Sequence, residues 1–175
     1  MARRCASGMA SLYSSIGDRM MVRIQSEFEQ EVCRMYERLF SKLPKGAATL
    51  TIRPSIDPAG GIDVLVVPTN PRSAPINTHI LGETAYMRIG QSSLSEILIG
   101  PKATTAEATD TIRQMSEAVI DGRFSEDLWF DRGRVVKAIG TMKLSGRKGR
   151  LRYQKLFNPL TSKAKQHFDY APYAT

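Results

Sequence analysis

Residues 128–157 read LWFDRGRVVKAIGTMKLSGRKGRLRYQKLF, and this stretch decides which kind of sheet the chain forms. Residues 131–133, Asp-Arg-Gly, have the pattern of a three-residue hairpin loop with glycine in the left-handed position. Farther on, residues 146–149, Gly-Arg-Lys-Gly, predict a second turn that leads strand 134–145 back into strand 150–157. Two successive hairpins make this part of the sheet antiparallel.

The second turn predicts a register that separates apolar from charged side chains. If Gly146 pairs with Gly149, one face combines Leu144 with Leu151. A slip by one residue would move the cations into the apolar layer, so the pattern specifies the register well. Trp129 is predicted to lie on the cationic face. That face also collects Lys137, Ile139, Thr141, Lys143, Arg150, Arg152 and Gln154.

The basic residues are concentrated in the last quarter of the chain. Residues 132–175 carry eleven basic groups and one acidic group, whereas residues 101–131 carry three basic and seven acidic groups. The formal net charge of +8 therefore arises almost wholly from one segment. Such an asymmetry favours an anionic partner more than a uniformly basic composition would.

Two amphipathic helices are predicted upstream of the hairpins. From Ser15 to Pro44 apolar residues recur every three or four positions, which predicts one long helix. A second helix is predicted at 105–121, because Thr104 and Glu107 form a capping-box pattern. The apolar stripe of the first helix consists of Ile16, Met20, Ile24, Phe28, Val32, Met35, Tyr36, Leu39 and Leu43.

Between the helices the period changes to two, which predicts four strands. They contain residues 50–52, 62–66, 85–89 and 94–99, and the proline-rich segment 68–75 is predicted to be a surface loop. The order is therefore α-ββββ-α-βββ. This order predicts an α+β fold with a mostly antiparallel sheet of about six to seven strands and the long N-terminal helix packed on one face.

The length of 175 residues and the apolar content of 42% suit one domain with one core. We expect residues 1–14 to form a flexible N-terminal arm. Residues 15–166 are expected to form the single α+β domain, and residues 167–175 a C-terminal tail, because Pro172 prevents a helix there.

The sequence predicts an intracellular, cytoplasmic protein with no membrane partner. The apolar runs are too short to cross a bilayer, and Arg3 and Arg4 are not followed by the apolar stretch of a signal peptide. Cys5 and Cys33 are isolated thiols, which fits a reducing compartment. The first seventeen residues contain two arginines, four serines and no acidic residue. Because this composition is also typical of transit peptides, organellar import through the N-terminal arm is the alternative.

Patterns typical of enzymes are scarce in the sequence. It contains neither a phosphate-binding loop nor a dinucleotide fingerprint, so no cofactor is predicted. His79 and His167 stand apart from other metal-binding residue types, so no metal site is predicted. A small hydrolase or nuclease is retained as an alternative function. Its general base would be His79, and His167 is the other candidate catalytic residue.

The cationic hairpin favours a function in binding. Lysines and arginines contact phosphates, and an aromatic ring stacks on an exposed base. We expect a non-catalytic binding domain whose basic C-terminal β-hairpin and tail dock on RNA within a larger assembly or on an acidic protein surface. The alternatives are a solvated sheet face and a protein-interaction module, such as an inhibitor or complex subunit, that uses the long helix. The predicted binding residues are Lys137, Lys143, Arg147, Lys148, Arg150, Arg152 and Trp129.

Overall fold

The structure of the protein is a computed structural model that describes residues 26–91, 93–98, 104–144, 147–154 and 164–174, with only the backbone described for 93–98 and 147–154. The described residues form two helices and nine strands. In chain order these are α1 (Glu27–Ser41), β1 (Ala48–Pro54), β2 (Ile62–Pro68), β3 (Ile76–Leu81), β4 (Thr84–Ile89), β5 (Ser93–Leu98), α2 (Thr105–Ile120), β6 (Phe124–Asp131), β7 (Arg134–Leu144), β8 (Arg147–Gln154) and β9 (Ala164–Asp169).

The strands of the described residues form two antiparallel sheets where one sheet was expected. In the first sheet β1 to β5 lie side by side in chain order. The second sheet has the order β8-β7-β6-β9, so β9 returns to pair with β6 at the edge opposite β8. Short connections explain the antiparallel pairing of consecutive strands. The prediction of a mixed fold with antiparallel strands is confirmed, and the predicted number of strands is wrong.

Two strands account for the difference in number. β3 carries Asn77, a residue type depleted in strands, but Ile76 and Ile80 are buried on either side of it. The alternation of buried and partly exposed residues from Ile76 to Leu81 was the sequence signal that could have predicted this strand. β9 has five exposed residues and one of intermediate exposure, and therefore lacks the apolar alternation that predicts a strand.

Helix α1 is shorter than predicted and begins at Glu27. Ser26 has extended backbone angles, φ −123° and ψ 159°, so one continuous helix from Ser15 is wrong. The Ser26 hydroxyl accepts a hydrogen bond from the Glu29 backbone N–H, while the Glu29 carboxylate accepts one from the Ser26 N–H. This capping box satisfies two amide groups that the first turn would otherwise leave unpaired. The predicted stripe residues Ile16, Met20 and Ile24 lie outside the described residues.

Helix α1 packs its predicted stripe against the first sheet and α2. Phe28, Val32 and Tyr36 are almost completely buried and belong to one core with residues of β2, β3, β4 and α2. The Tyr36 hydroxyl lies 2.6 Å from the Thr78 hydroxyl and accepts a hydrogen bond of 3.1 Å from the Ser116 hydroxyl. These bonds satisfy a buried polar group at the meeting point of α1, β3 and α2.

Helix α2 has the predicted position and the predicted capping box between Thr104 and Glu107. It ends at Ile120 with Asp121 as its C-cap residue, and the next residue, Gly122, has φ +69°. A Cβ atom at this glycine would lie 2.6 Å from the backbone nitrogen of Pro172. Glycine is therefore required both by the helix end and by the close approach of the C-terminal segment.

The two C-terminal hairpins exist, but their turns differ from the predicted ones. Asp131 pairs with Arg134 across a two-residue turn in which Arg132 and Gly133 both have positive φ, 50° and 76°. Positive φ at both central residues is typical of a type I′ turn, whose twist matches the right-handed twist of the strands. In the second hairpin Leu144 lies opposite Arg147, whereas the prediction placed it opposite Leu151. The displacement is an even number of residues, so the same positions still share a side of the sheet.

The C-terminal segment is part of the fold, although a loose tail was expected from residue 167. His167 lies in β9, and the Tyr173 side chain is 3% exposed. The Tyr173 hydroxyl donates a hydrogen bond of 2.6 Å to the Ala74 carbonyl, and its backbone N–H donates one of 2.9 Å to the Ile120 carbonyl. Among the described residues, no helix is long and apolar enough to span a membrane.

Candidate nucleic-acid interface

One side of the second sheet carries a cluster of charged residues around Trp129. In β6 and β7 the even-numbered residues from 124 to 128 and from 136 to 142 are buried. Because side chains alternate along a strand, the odd-numbered residues of these stretches lie on the opposite side. The register of β9 places Lys165 and His167 beside them. We call this side the outer face, and its principal residues are Asp127, Trp129, Lys137, Lys143, Lys165 and His167.

Trp129 lies in the middle of the outer face between two lysines. The register places Lys137 of β7 and Lys165 of β9 directly opposite Trp129, one on each neighbouring strand. The Lys137 ammonium nitrogen is 4.4 Å from the indole centroid, and that of Lys165 is 5.2 Å away. Each cation–π contact of this partly exposed kind contributes about 0.5–1 kcal/mol. The ring thus holds two cations side by side across three strands.

Asp127 occupies the neighbouring row of the outer face and binds two cationic partners. Its carboxylate lies 3.1 Å from the Lys165 ammonium and 2.7 Å from Nδ1 of His167. Burial alone would raise the pKa of Asp127, but the hydrogen bonds from His167 and Lys165 outweigh it and hold that pKa below its usual range. Asp127 therefore remains ionised and fixes the position of Lys165 near Trp129.

His167 is held between two carboxylates. Its Nε2 atom lies 3.2 Å from Asp169, so both ring nitrogens have a carboxylate partner. The hydrogen bond to Asp127 is the main cause that raises the pKa of His167, and the contact with Asp169 adds to it. Both nitrogens donate only when the ring is protonated. The geometry therefore favours a cationic imidazolium on the outer face.

The structure brings some of the predicted binding residues together and separates one. Lys137 and Trp129 are in contact, and Lys143 lies farther along β7 on the same side. Lys148, Arg150 and Arg152 belong to β8, where they pair with Lys143, Thr141 and Ile139 and thus take register positions on that side. Arg147, which pairs with Leu144, takes a register position on the other side. The side chains of β8 lie outside the described residues.

Sequence reasoning missed Lys165 and Asp127 as members of this site. Both belong to it because β9 pairs with β6, and a pairing between strands so distant in sequence has no local signature. Lys165, His167 and Asp169 are spaced two residues apart, and every second residue of a strand lies on the same side. This spacing was the sequence signal that could have indicated a charged strand face here.

His79 has a carboxylate partner on the first sheet. Its Nδ1 atom lies 2.9 Å from Asp63, and its ring stacks on Tyr86 with centroids 6.3 Å apart. A carboxylate–histidine pair orients a general base when a nucleophile is also within reach. In the parts of the chain whose side chains are described, Asp63 is the one hydrogen-bonding partner of the His79 ring. The two histidines also lie on different sheets, in β3 and β9.

A groove of about 570 Å³ lies between α1 and α2. If the protein is an interaction module that uses the long helix, this groove is where a partner protein would bind. Charges of both signs line it, including Glu31 and Arg38 of α1 and Asp110 and Arg113 of α2. Asp110 and Arg113 form an ion pair with each other.

The chain matches no family model, and neither the curated proteins nor the solved structures contain a match to it. Lysines beside an indole ring and an adjacent carboxylate–histidine pair suit the binding of an anion that also has a flat, polarisable group.

Proposed function

We propose that the protein is a non-catalytic RNA-binding domain that uses the outer face within a larger assembly. The observation that carries the proposal is the row of Lys137, Trp129 and Lys165 across three neighbouring strands. RNA offers phosphates for lysines and bases for an aromatic ring, so it complements both parts of this row. An acidic protein surface complements the lysines alone.

The charge distribution along the chain supports the proposal. The segment that forms β7, β8 and β9 lies within residues 132–175, which carry eleven basic groups and one acidic group. Lys143 extends the cationic row along β7, and the register of β8 adds positions 148, 150 and 152 beside it. Positive charges that are spread along one side of a sheet complement an extended polyanion better than a small anion.

The test replaces Lys137, Lys143 and Lys165 together by glutamine. The probe is a labelled RNA that contains both a duplex stem and single-stranded flanks, and its affinity is measured over a range of salt concentrations. Each lost phosphate contact makes the slope of log affinity against log salt shallower by about 0.7–0.9, so the triple variant is expected to lose about two units of slope. The free protein should stay folded and lose about 1–2 kcal/mol of stability, because the variant removes the two cation–π contacts with Trp129.

The matched control replaces Lys42, Lys45 and Arg53 by glutamine. All three are exposed and lie away from the second sheet, at the end of α1, after it and in β1. The control changes the net charge equally, so only a local effect distinguishes the two variants. Equal losses of slope would contradict a specific outer face. Salt-dependent binding of polyglutamate without binding of RNA would overturn RNA as the partner and favour an acidic protein.

A further inference from the structure

We infer that the outer face binds single-stranded RNA, with one base stacked on Trp129 in place of a lysine ammonium. The inference rests on the proposed function and adds the strandedness of the ligand. Duplex RNA keeps its bases stacked inside the helix, whereas a single strand can turn a base outward. An aromatic ring on a sheet surface is the group that accepts such a base.

The position of the two lysines supports an exchange at the ring. Their ammonium groups lie over the indole at 4.4 Å and 5.2 Å in the free protein. The phosphates on either side of a bound base would attract these same groups, because a phosphate carries a full charge and the ring only a partial one. Each lysine needs only to turn outward on its flexible side chain. The ring surface that it leaves is then available to the base.

Asp127 makes this exchange directional. It already holds the Lys165 ammonium at 3.1 Å, so Lys165 has an anionic partner before RNA arrives. Asp127 lies opposite Ile139 in the register and not opposite Lys137, whose ammonium contacts the ring. We therefore expect Lys137 to be the lysine that leaves the ring, and the base to stack on the side facing β7.

The chain contains one tryptophan and six tyrosines, so fluorescence excited at a wavelength that only tryptophan absorbs reports on Trp129 alone. The first experiment titrates the full-length protein with oligouridylate of about ten nucleotides, a length within the range that one sheet-based binding fold covers. Stacking is expected to quench the emission strongly. Inorganic polyphosphate serves as the control for lysine movement without a base, and an RNA duplex of equal charge as the control for bases that stay paired.

The second experiment compares two substitutions of the ring. Trp129→Leu is expected to weaken the binding of labelled oligouridylate at least about tenfold, whereas Trp129→Phe keeps a ring and recovers a large part of the affinity. Both variants should bind polyphosphate within about twofold of the wild type, because they retain the lysines. Tyr86→Leu, which removes an aromatic ring from the first sheet, should leave the affinity for oligouridylate unchanged.

The outcomes separate this inference from the proposed function. Equal quenching by oligouridylate and polyphosphate would overturn base stacking. So would an equal loss of affinity for both ligands in Trp129→Leu, or no recovery in Trp129→Phe. Salt-dependent binding of the duplex as tight as that of oligouridylate would contradict the single-strand preference while leaving RNA binding intact. Failure of every RNA to bind at low salt would overturn the proposed function itself.

Discussion

His167 links the charge of the outer face to pH through its contact with Asp127. The pKa of His167 is raised and that of Asp127 is lowered, because each stabilises the charged form of the other. The stabilisation from His167 is fully present below its unfolded pKa, near 6.5, and is lost as the pH rises through the higher folded value. For Asp127 it is present above the unfolded pKa, near 3.9, and is lost as the pH falls through the lower folded value.

At the residue scale we predict that Asp127→Asn lowers the pKa of His167 toward the ordinary value. The asparagine keeps the size of the side chain and removes the anion that stabilises the imidazolium. The measurement is an NMR titration of the histidine ring in both proteins. His79 is the internal control, because its partner Asp63 is unchanged. An unchanged His167 titration would show that the 2.7 Å contact does not exist in solution.

The cost of losing this contact should be small. The His167 side chain is 54% exposed, so water screens its interaction with Asp127. Exposed ion pairs typically contribute below about 1 kcal/mol, and we expect no more here. The pair is therefore a means of placing charge rather than a main source of stability.

At the scale of single elements, α1 depends on the burial of its stripe. We predict that Val32→Ala lowers the free energy of unfolding by about 2 kcal/mol, because it removes buried methyl groups and leaves a cavity. Phe28→Ala should cost about 3–5 kcal/mol. Chemical denaturation with a linear extrapolation to water measures both effects.

Val67→Ala is the matched control for the helix variants. It is the same chemical change at a side chain that is 54% exposed, whereas Val32 is 0% exposed. We expect a change within about 0.5 kcal/mol for the exposed site. If Val32→Ala and Val67→Ala have equal effects, α1 does not pack as described.

The elements differ in how far the sequence determines them. α2 was predicted within one residue, because its capping box and apolar stripe are local signals. The start of α1 was misplaced because the stripe continues on both sides of Ser26, and the Ser26-Glu29 capping box was the stronger start signal. The hairpin turns were found, but the first was predicted one residue too long and the second two residues too far along the chain, since glycine marks a turn without fixing which residues pair across it.

At the scale of the whole molecule, the sequence pattern predicted the fold class and the cationic side of the hairpin but not the contact between distant strands. β9 and Tyr173 are held by β6, Ala74 and Ile120, none of which is near them in sequence. Two of the six principal residues of the outer face, Lys165 and His167, depend on this contact. Alternation within a strand indicates which side a residue takes, whereas the identity of the neighbouring strand is a property of the complete chain.

We predict that the Tyr173 amide is among the slowly exchanging amides of the protein. It donates to the Ile120 carbonyl, and the side chain of the same residue is buried in the core. Native-state hydrogen exchange followed by NMR measures its protection. The amide of Ile56, a residue that is 89% exposed and lies outside the strands, serves as the comparison in the same spectrum. Exchange of the Tyr173 amide at the rate of an unfolded peptide would show that the C-terminal segment is detached.

The position of Tyr173 in the core also determines when the domain can complete its folding during translation. The core contains Phe28 and Tyr173, so it joins side chains that are translated far apart in time. The hairpins of β1 to β4 can pair as soon as they leave the exit tunnel, but their apolar side gains its last neighbour only when residue 173 has emerged. Until then the nascent chain exposes apolar surface, which is what chaperones recognise. This domain therefore completes its folding only after residue 173 has been released from the tunnel.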